Sequence, residues 1–338
     1  MAYITLNKNN FFNNLDIIKK QTKSIDKIAI VLKDNAYGHG LTEMAKLAQE
    51  YGIKKAVVRT YDEALHVEPY FTYILILADF PQTYNAKFRY TINDINTIDK
   101  FPKNTKVQLK VDTLMHRNGI DKSSLKEAFE KIKYGGLFLE AVFTHHRNAD
   151  ELTSEWFTQN DIFKAVKIQS AKLALEFGFS DIKFHSANSA SLFRYKNFDE
   201  DMARIGIAAY GCMELPSILN VKGLKPVLSL YAKKISSREL KKGECVGYGA
   251  SYINEINSTV SNYDFGYGDG FLRACSNNYS TPNNEKLLGR ISMDNSSFLS
   301  DKESILIFND ASKVASSANT ISYEILTSLK ANIKREYI

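Results

Sequence analysis

The residue whose type and position most clearly suggest chemistry is Lys33. It follows the apolar run Ile28–Leu32, which is typical of a buried strand, and it precedes turn residues that end in Gly38-His39-Gly40. A lysine at such a place is most often a solvated rim residue, but a partly desolvated lysine can lose its proton and form an imine with a carbonyl compound. Tyr37 adds a phenol four residues later, and the glycines let a ligand approach the backbone closely. These residues favour a functional site at the end of the strand.

Comparable polar groups follow other predicted strands. They are Lys110–Arg117, His145, His185–Ser189 and Arg204–Ile207. Each has an ordinary explanation, since Arg117 could pair with Asp112 and His145 could be a hydrogen-bonded core histidine. Ser189 could simply cap a helix. Their shared position after successive strands nevertheless predicts one common pocket, and free amides at a helix start or beside a glycine favour an anion such as phosphate.

The second half of the chain contains two tyrosines between glycines, in Gly247–Tyr252 and Gly266–Gly270. Neither run has the spacing G-x-G-x-x-G at the head of a helix, so a dinucleotide site is a poor interpretation. Tight turns with a packed aromatic ring are the simplest alternative. The runs Gly289–Asp294 and Thr320–Glu324 are further candidates.

The elements that must position these residues alternate between strands and helices. The predicted strands are Ile28–Leu32, Ala56–Val58, Tyr73–Leu77, Arg89–Ile92, Val107–Val111, Leu139–Thr144, Ile182–His185 and Ala203–Ala208. The predicted helices are residues 8–22, Thr42–Tyr51, Tyr61–Val67, Ser123–Lys133, Ser154–Phe177 and Asn188–Tyr195. Eight strands with intervening helices predict an α/β fold, a TIM-like (β/α)₈ barrel of parallel strands, with an open doubly wound sheet as the alternative.

After Met213 the helical periodicity nearly disappears, and short strands are separated by Gly, Asn, Ser and Pro. The predicted strands there are Val227–Lys233, Ser258–Phe265 and Ser304–Phe308, with a helix at Ser322–Asn332. The polar run Ser276–Glu285 predicts a surface loop. We therefore expect a barrel domain over 1–223 and a mainly β domain over 224–338.

Composition excludes several classes of protein. The 338 residues carry 44 basic and 38 acidic side chains, a net charge of +6, which is too mild and too mixed to argue for nucleic-acid binding. No apolar run approaches the ~18 residues that a membrane span needs, and no signal peptide is evident. Three widely spaced cysteines fit reduced thiols in a cytoplasmic protein, and no histidine has metal-ligand spacing. We expect a cytoplasmic protein with no membrane partner and no metal.

Taken together and in order, these motifs resemble the alanine racemase family of pyridoxal 5′-phosphate (PLP) enzymes. The matching stretches are Ala29–Gly40, Leu109–Thr113 with Met115 and Arg117, Phe143–His145, Asn188–Ala190, Arg204 with Gly206, Tyr210-Gly211, Tyr248-Gly249 and Gly266–Gly270. The resemblance implies a barrel followed by a β domain. It also implies a head-to-tail homodimer in which each C-terminal domain completes the partner's active site.

The resemblance also implies roles for individual residues. Lys33 would hold PLP as a Schiff base and serve the D-enantiomer, while the partner subunit's Tyr248 would serve the L-enantiomer from the opposite face. The remaining cofactor contacts would be Tyr37, His145, Ser189, Arg204, Gly206, Ile207 and Tyr323. The substrate carboxylate would be held by Arg117 and the partner subunit's Met293, with Lys110, His185 and Asp294 in support. Asp150, Tyr267, Arg290 and Ile321 would line the access corridor.

The implied activity is interconversion of L- and D-alanine, which supplies D-alanine for cell-wall peptidoglycan. The chain departs from the family pattern at Val58-Arg59-Thr60, at His146-Arg147-Asn148, at Ser292 and in its last residues. A broad-specificity amino-acid racemase on the same scaffold is therefore the alternative. A PLP-dependent decarboxylase and a non-catalytic PLP carrier are more remote alternatives.

Overall fold

The computed structural model of the protein describes residues 1–219 and 221–338. The strands are β1 Tyr3–Leu6, β2 Ile28–Val31, β3 Lys55–Val58, β4 Tyr73–Ile76, β5 Phe88–Ile92, β6 Lys106–Lys110, β7 Phe138–Phe143, β8 Lys183–His185, β9 Ala203–Ile205, β10 Leu228–Leu240, β11 Cys245–Val246, β12 Tyr252–Ile253, β13 Ser258–Tyr263, β14 Leu287–Leu288, β15 Ser296–Leu299, β16 Ser304–Phe308 and β17 Lys334–Tyr337. The helices are α1 Lys8–Thr22, α2 Leu41–Tyr51, α3 Tyr61–Val67, α4 Leu125–Tyr134, α5 Glu155–Phe177, α6 Ser189–Leu192, α7 Ala311–Ala318 and α8 Ser322–Ser328.

Strands β2 to β9 form a parallel sheet in the order β8-β7-β6-β5-β4-β3-β2-β9. Two backbone hydrogen bonds join its ends, from Asp201 N to Phe184 O (3.1 Å) and from Arg204 N to Ala187 O (2.9 Å), so the sheet nearly closes into a barrel. All four residues of β2 are buried, as a strand covered on both faces requires. The prediction of an eight-stranded barrel is confirmed, and all eight predicted strands are present.

Two helices end earlier than the sequence predicts. Helix α6 was expected to run over Asn188–Tyr195 but ends at Leu192. Asn188 and Ser191 form a reciprocal capping box at its start, and Phe193 terminates it. Helix α8 ends at Ser328 rather than at Asn332.

The second sheet is mainly antiparallel, in the order β14-β15-β13-β10-β1-β17, with β16 also paired to β10. Strand β1, at the start of the chain, pairs antiparallel with β10 and parallel with β17. It therefore lies in this sheet rather than in the barrel. The division at residue 223 remains a prediction.

The stretch Ser276–Glu285 is a loop with several exposed residues, as expected. Within it, Tyr279 and Glu285 are buried, and the Tyr279 hydroxyl donates to Ile307 O. Helix α7 was not expected, because its Ala-Ser-Lys-Val-Ala-Ser-Ser-Ala sequence has few large apolar residues to show a helical period. Among the described residues, no helix has both the length and the apolar character needed to cross a membrane.

Candidate active site

Lys33 lies just beyond the carboxyl end of β2, where a left-handed turn begins. The φ angles of Asp34 and Asn35 are 54° and 55°, values that Asn and Asp tolerate better than most residues. Asn35 Oδ1 stabilises the turn by accepting a hydrogen bond from Leu41 N (2.8 Å). The turn places Lys33 Nζ 5.9 Å from the centre of the Tyr37 ring. Backbone of this kind persists where the surroundings hold it in place, often at functional sites.

A cluster of hydrogen-bond donors lies beside this turn. Ser189 Oγ accepts from the amides of Gly206 (3.1 Å) and Ala208 (3.3 Å), which flank Ile207 in the chain. A Cβ on Gly206 would lie 2.7 Å from the Tyr37 hydroxyl, so only glycine permits this approach. The structure thus brings together four predicted cofactor contacts, Tyr37, Ser189, Gly206 and Ile207. Hydroxyl groups beside a glycine form an arrangement that suits an anion.

Tyr323 joins the same cluster from α8. Its ring centre lies 5.8 Å from that of Tyr37, and burial raises the pKa of both phenols, so both are neutral donors. The neighbouring carboxylate of Asp150 also contributes to raising the pKa of Tyr323. Ile321, just before α8, is 60% exposed. Asp150 and Ile321 therefore lie around the outer side of this cluster.

Arg204 is held by β8 and by the loops that follow β7 and β8. Its Nη1 donates to His185 Nδ1, and its Nη2 donates to Thr144 O (2.7 Å) and Ser186 O (3.1 Å). The guanidinium lies 5.0 Å from the centre of the Phe143 ring. Burial lowers the pKa of Arg204 to about 10, so it is still a cation at neutral pH. Its orientation is fixed by neutral acceptors rather than by a carboxylate.

The hydrogen bonds continue below His185 to two residues that the sequence analysis missed. His185 Nε2 donates to Gln108 Oε1 (2.9 Å), and Gln108 Nε2 donates to the Tyr73 hydroxyl. Burial and Arg204 hold the pKa of His185 well below its usual value, so the ring is neutral with its proton on Nε2. Strand alternation could have revealed Gln108, because it lies two residues before Lys110 on β6 and so faces the same side.

Lys110 ends β6 near Arg204 and Arg117. Burial lowers its pKa to about 8, and the positive charges of Arg204 and Arg117 act in the same direction. Arg117 is exposed and forms no ion pair among the described residues. Among the described residues Arg117 does not form the ion pair with Asp112 that the sequence allowed. Asp112 Oδ1 accepts a hydrogen bond from Met115 N (2.8 Å) instead.

His145 lies at the edge of this cationic group, with Nδ1 3.5 Å from Arg204 Nη2. Burial and Arg204 hold its pKa well below the usual value, so it is neutral. The loop is tied by Gln159 of α5, whose Nε2 donates to Thr113 O (2.7 Å) and lies 3.4 Å from His145 O. Gln159 was also missed, because its role depends on tertiary contacts that spacing does not reveal.

Tyr248 lies apart from this cluster, on the second domain. Its side chain is 68% exposed, and it borders a groove of about 360 Å³ whose lining residues all fall within 235–297. Arg290 lies in the same groove, and a Cβ on Gly249 would come 2.8 Å from its Nη1. None of the residues that line this groove belongs to the cluster around Lys33.

The second glycine–tyrosine run packs against Met293. Gly268 N donates to Met293 O (2.8 Å), and a Cβ on Gly266 would lie 2.2 Å from the same oxygen. This close packing accounts for the glycines and leaves Tyr267 and Met293 43% and 57% exposed. Asp294, the next residue, lines a larger cavity of about 690 Å³ near the start of the chain.

Comparisons with known proteins agree with this arrangement. Family models described as the alanine racemase N-terminal domain and C-terminal domain match residues 6–214 and 227–337. Alanine racemase of a Nitratiruptor species is 46% identical over 338 residues, covering 100% of both chains. The structure of alanine racemase from Clostridium difficile 630 is 27% identical with a TM-score of 0.89, covering 100% of this chain and 95% of that chain. Alanine racemase from Bartonella henselae with covalently bound pyridoxal phosphate is 27% identical with a TM-score of 0.84, covering 100% and 99%.

Proposed function

This chain belongs to the alanine racemase family of isomerases, and we propose that it interconverts L- and D-alanine with Lys33 and Tyr248 as opposing bases. The observation that carries the proposal is the position of Lys33 at the end of β2, beside the donors collected by Ser189 and Gly206. In this role the protein would supply D-alanine for peptidoglycan.

The residues present fit pyridoxal phosphate. The cradle that a Gly206 side chain would fill is bordered by the hydroxyls of Tyr37 and Ser189. Because the Ser189 oxygen accepts from the Gly206 amide, its proton is directed away from that amide and can be donated to a phosphate oxygen. Lys33 is about one-third exposed, so its amine is accessible for a covalent bond to the cofactor's carbonyl carbon. When bound, the cofactor supplies an electron-withdrawing ring that lets the Cα proton of an amino acid leave.

Arg204 would face the ring nitrogen. A guanidinium donates hydrogen bonds but does not readily release a proton, so Arg204 would leave that nitrogen largely unprotonated. Its hydrogen bonds to His185, Thr144 O and Ser186 O fix its plane. This choice of partner limits how much negative charge the ring stabilises, which favours rapid return of a proton to Cα.

Racemisation needs a proton to leave one face of Cα and another to arrive on the opposite face. Two bases on opposite sides meet this need without either crossing the substrate. Lys33 would act on the D-enantiomer and the partner subunit's Tyr248 on the L-enantiomer. The wide exposure of Tyr248 and the separation of its groove from the cluster around Lys33 support a homodimer in which each second domain covers the partner's barrel.

The remaining residues would bind the substrate and control access to it. Arg117 and the backbone amide of the partner subunit's Met293 would hold the substrate carboxylate. Lys110 has a lowered pKa of about 8, so a neutral amine that can react with CO₂ is available to form an anionic carbamate beside Arg117. Asp150 and Ile321 would line the access corridor together with the partner subunit's Tyr267 and Arg290.

The test is exchange of the Cα hydrogen in D₂O. Purified protein with added pyridoxal phosphate should exchange the Cα hydrogen of both alanine enantiomers, and the Lys33→Ala variant should exchange neither. Absence of exchange in the wild-type protein would end the proposal. A panel of L-amino acids compared by kcat/KM would separate an alanine-specific enzyme from a broad-specificity racemase.

A further inference from the structure

The two loops that follow β2 and β3 are joined by one carboxylate. Glu63 Oε1 accepts a hydrogen bond from Asp34 N (2.8 Å), and its Oε2 accepts from Arg59 N (2.7 Å) and Thr60 N (3.3 Å). Glu63 itself is fixed in the first turn of α3, where it forms a capping box with Thr60. The backbones of Asp34 and Arg59 are therefore held at a set separation.

This arrangement places the Asp34 carboxylate between two cations. Its Oδ2 lies 3.0 Å from Lys33 Nζ, and its Oδ1 lies 3.6 Å from Arg59 Nη1. Lys33 and Asp34 are each about one-third exposed, and Arg59 is 62% exposed. Asp34 has a left-handed φ of 54°, and its amide is held by Glu63. The carboxylate that bridges the two cations is therefore carried by a backbone that is itself hydrogen-bonded.

A base that must both take and give a proton is sensitive to such a neighbour. A carboxylate beside Lys33 attracts and restrains its side-chain nitrogen, whereas a cation on the far oxygen weakens that attraction. Two further titratable groups lie near Asp34, the Tyr37 phenol and the Glu63 carboxylate. The Tyr37 phenol is kept neutral by burial, and Glu63 is occupied by three backbone amides.

We propose that Asp34 is a positioning residue that holds the side-chain nitrogen of Lys33 whenever it is not bonded to the cofactor, and that Arg59 tunes this hold by sharing the Asp34 carboxylate. The inference rests on the proposed function of Lys33 as a base. It also explains the charge at Val58-Arg59-Thr60, where the chain departs from the family pattern that it otherwise resembles.

The test measures how readily the Lys33 amine reacts in cofactor-free protein, because only the neutral amine is nucleophilic. The full chain is treated with limiting acetic anhydride at pH 8, and mass spectrometry compares modification of Lys33 with that of the exposed Lys20 in the same sample. Asp34→Asn should raise the relative rate at Lys33 about tenfold, the effect of one charge at 3.0 Å in a water-like dielectric. Arg59→Ala should lower it by about two- to threefold, since the carboxylate then acts on Lys33 alone.

Controls separate this hold from a general effect of charge or folding. Asp161→Asn removes an equally charged side chain from an exposed pair with Lys164 and should leave the rate unchanged. Asparagine tolerates the left-handed turn, so Asp34→Asn should keep the wild-type circular dichroism and melting temperature. If Asp34→Asn did change them, Arg59→Ala, at an exposed side chain, would still give the opposite-sign readout.

Equal rates within twofold for Asp34→Asn and wild type, or a faster rate in Arg59→Ala, would overturn the proposal. Both readouts are independent of racemase activity. A wild-type protein that failed to exchange alanine in D₂O would therefore refute the proposed function without deciding whether Asp34 holds Lys33.

Discussion

Arg204 Nη1 donates a hydrogen bond to His185 Nδ1, so the lone pair of that nitrogen must face the guanidinium. The guanidinium therefore sets the tautomer, and the Nε2–H on the other side of the ring donates to Gln108 Oε1 at 2.9 Å. An uncharged glutamine on β6 thus helps to hold the imidazole that contacts Arg204. Loss of that glutamine should leave the imidazole, and with it Arg204, less firmly held.

Gln108→Met should disturb this arrangement at nearly constant volume. Removing the acceptor leaves the buried Nε2–H unpaired, which should cost about 1–3 kcal/mol in the free energy of unfolding. In cofactor-free protein, the ¹⁵N chemical shift of His185 Nε2 should change because its hydrogen bond is lost, while the ring keeps one tautomer because Arg204 still donates to Nδ1. The exposed Gln49→Met serves as the control. An unchanged Nε2 chemical shift in Gln108→Met would show that Gln108 does not accept a hydrogen bond from His185.

Gly206→Ala should weaken cofactor binding without unfolding the barrel. The added Cβ would lie 2.7 Å from the Tyr37 hydroxyl, so Tyr37 must move away from the cradle. We expect the Kd for pyridoxal phosphate to rise roughly tenfold or more, measured by fluorescence titration of the apoprotein. Gly135→Ala, at a glycine that also has a negative φ, is the control. An unchanged Kd in Gly206→Ala would place the phosphate elsewhere.

The barrel was predictable mainly because β2, β3 and β4 are short apolar runs that are almost fully buried. Strand β2 and the strands that follow it therefore stand out from the helices without any knowledge of pairing. The strands of the second sheet were harder to predict from the sequence. Strands β15 and β17 have the sequences Ser-Ser-Phe-Leu and Lys-Arg-Glu-Tyr, whose identity as strands comes from their neighbours in the sheet.

The candidate site was also predictable only in part. Side chains that would touch the cofactor or substrate could be identified from their position after strands and from resemblance. The residues that hold them could not, because Glu63 and Gln159 act across loops that are distant in the chain. Glu200 is another example, since its buried carboxylate accepts from Ser186 N and Ala187 N. No local spacing distinguishes such residues from ordinary surface acids and amides.

If each active site combines two subunits, two inactive variants should restore activity when mixed. Lys33→Ala and Tyr248→Phe damage different half-sites, so a heterodimer has one site with both bases intact and one with neither. Equal amounts that are unfolded together and refolded should give about one quarter of wild-type racemase activity, since half of the dimers are mixed and each has one working site. Each variant refolded alone is the control. Activity no greater than the sum of the two controls would argue against a shared site.

The last prediction concerns acid stability and His39. This ring is fully buried, stacks on Tyr210 at 4.4 Å, and its Nδ1 lies 2.9 Å from Tyr37 O. Burial lowers the pKa of His39 to about 4. Because an unfolded histidine has a pKa of about 6.5, the unfolded chain binds the extra proton between these two values.

The free energy of unfolding should therefore be unaffected by His39 above pH 6.5 and should fall as the pH drops from about 6.5 to 4. At pH 5 this residue alone should cost about 2 kcal/mol relative to pH 7. His39→Phe keeps the aromatic stack on Tyr210 and removes the titrating group, so urea unfolding should show a smaller loss between pH 7 and 5 by about that amount. The other buried histidines act in the same direction in both proteins and cancel in the comparison. His66→Phe, at an exposed imidazole, controls for the general effect of losing a histidine. If His39→Phe lost as much stability as the wild type over this range, His39 would not be a source of acid sensitivity.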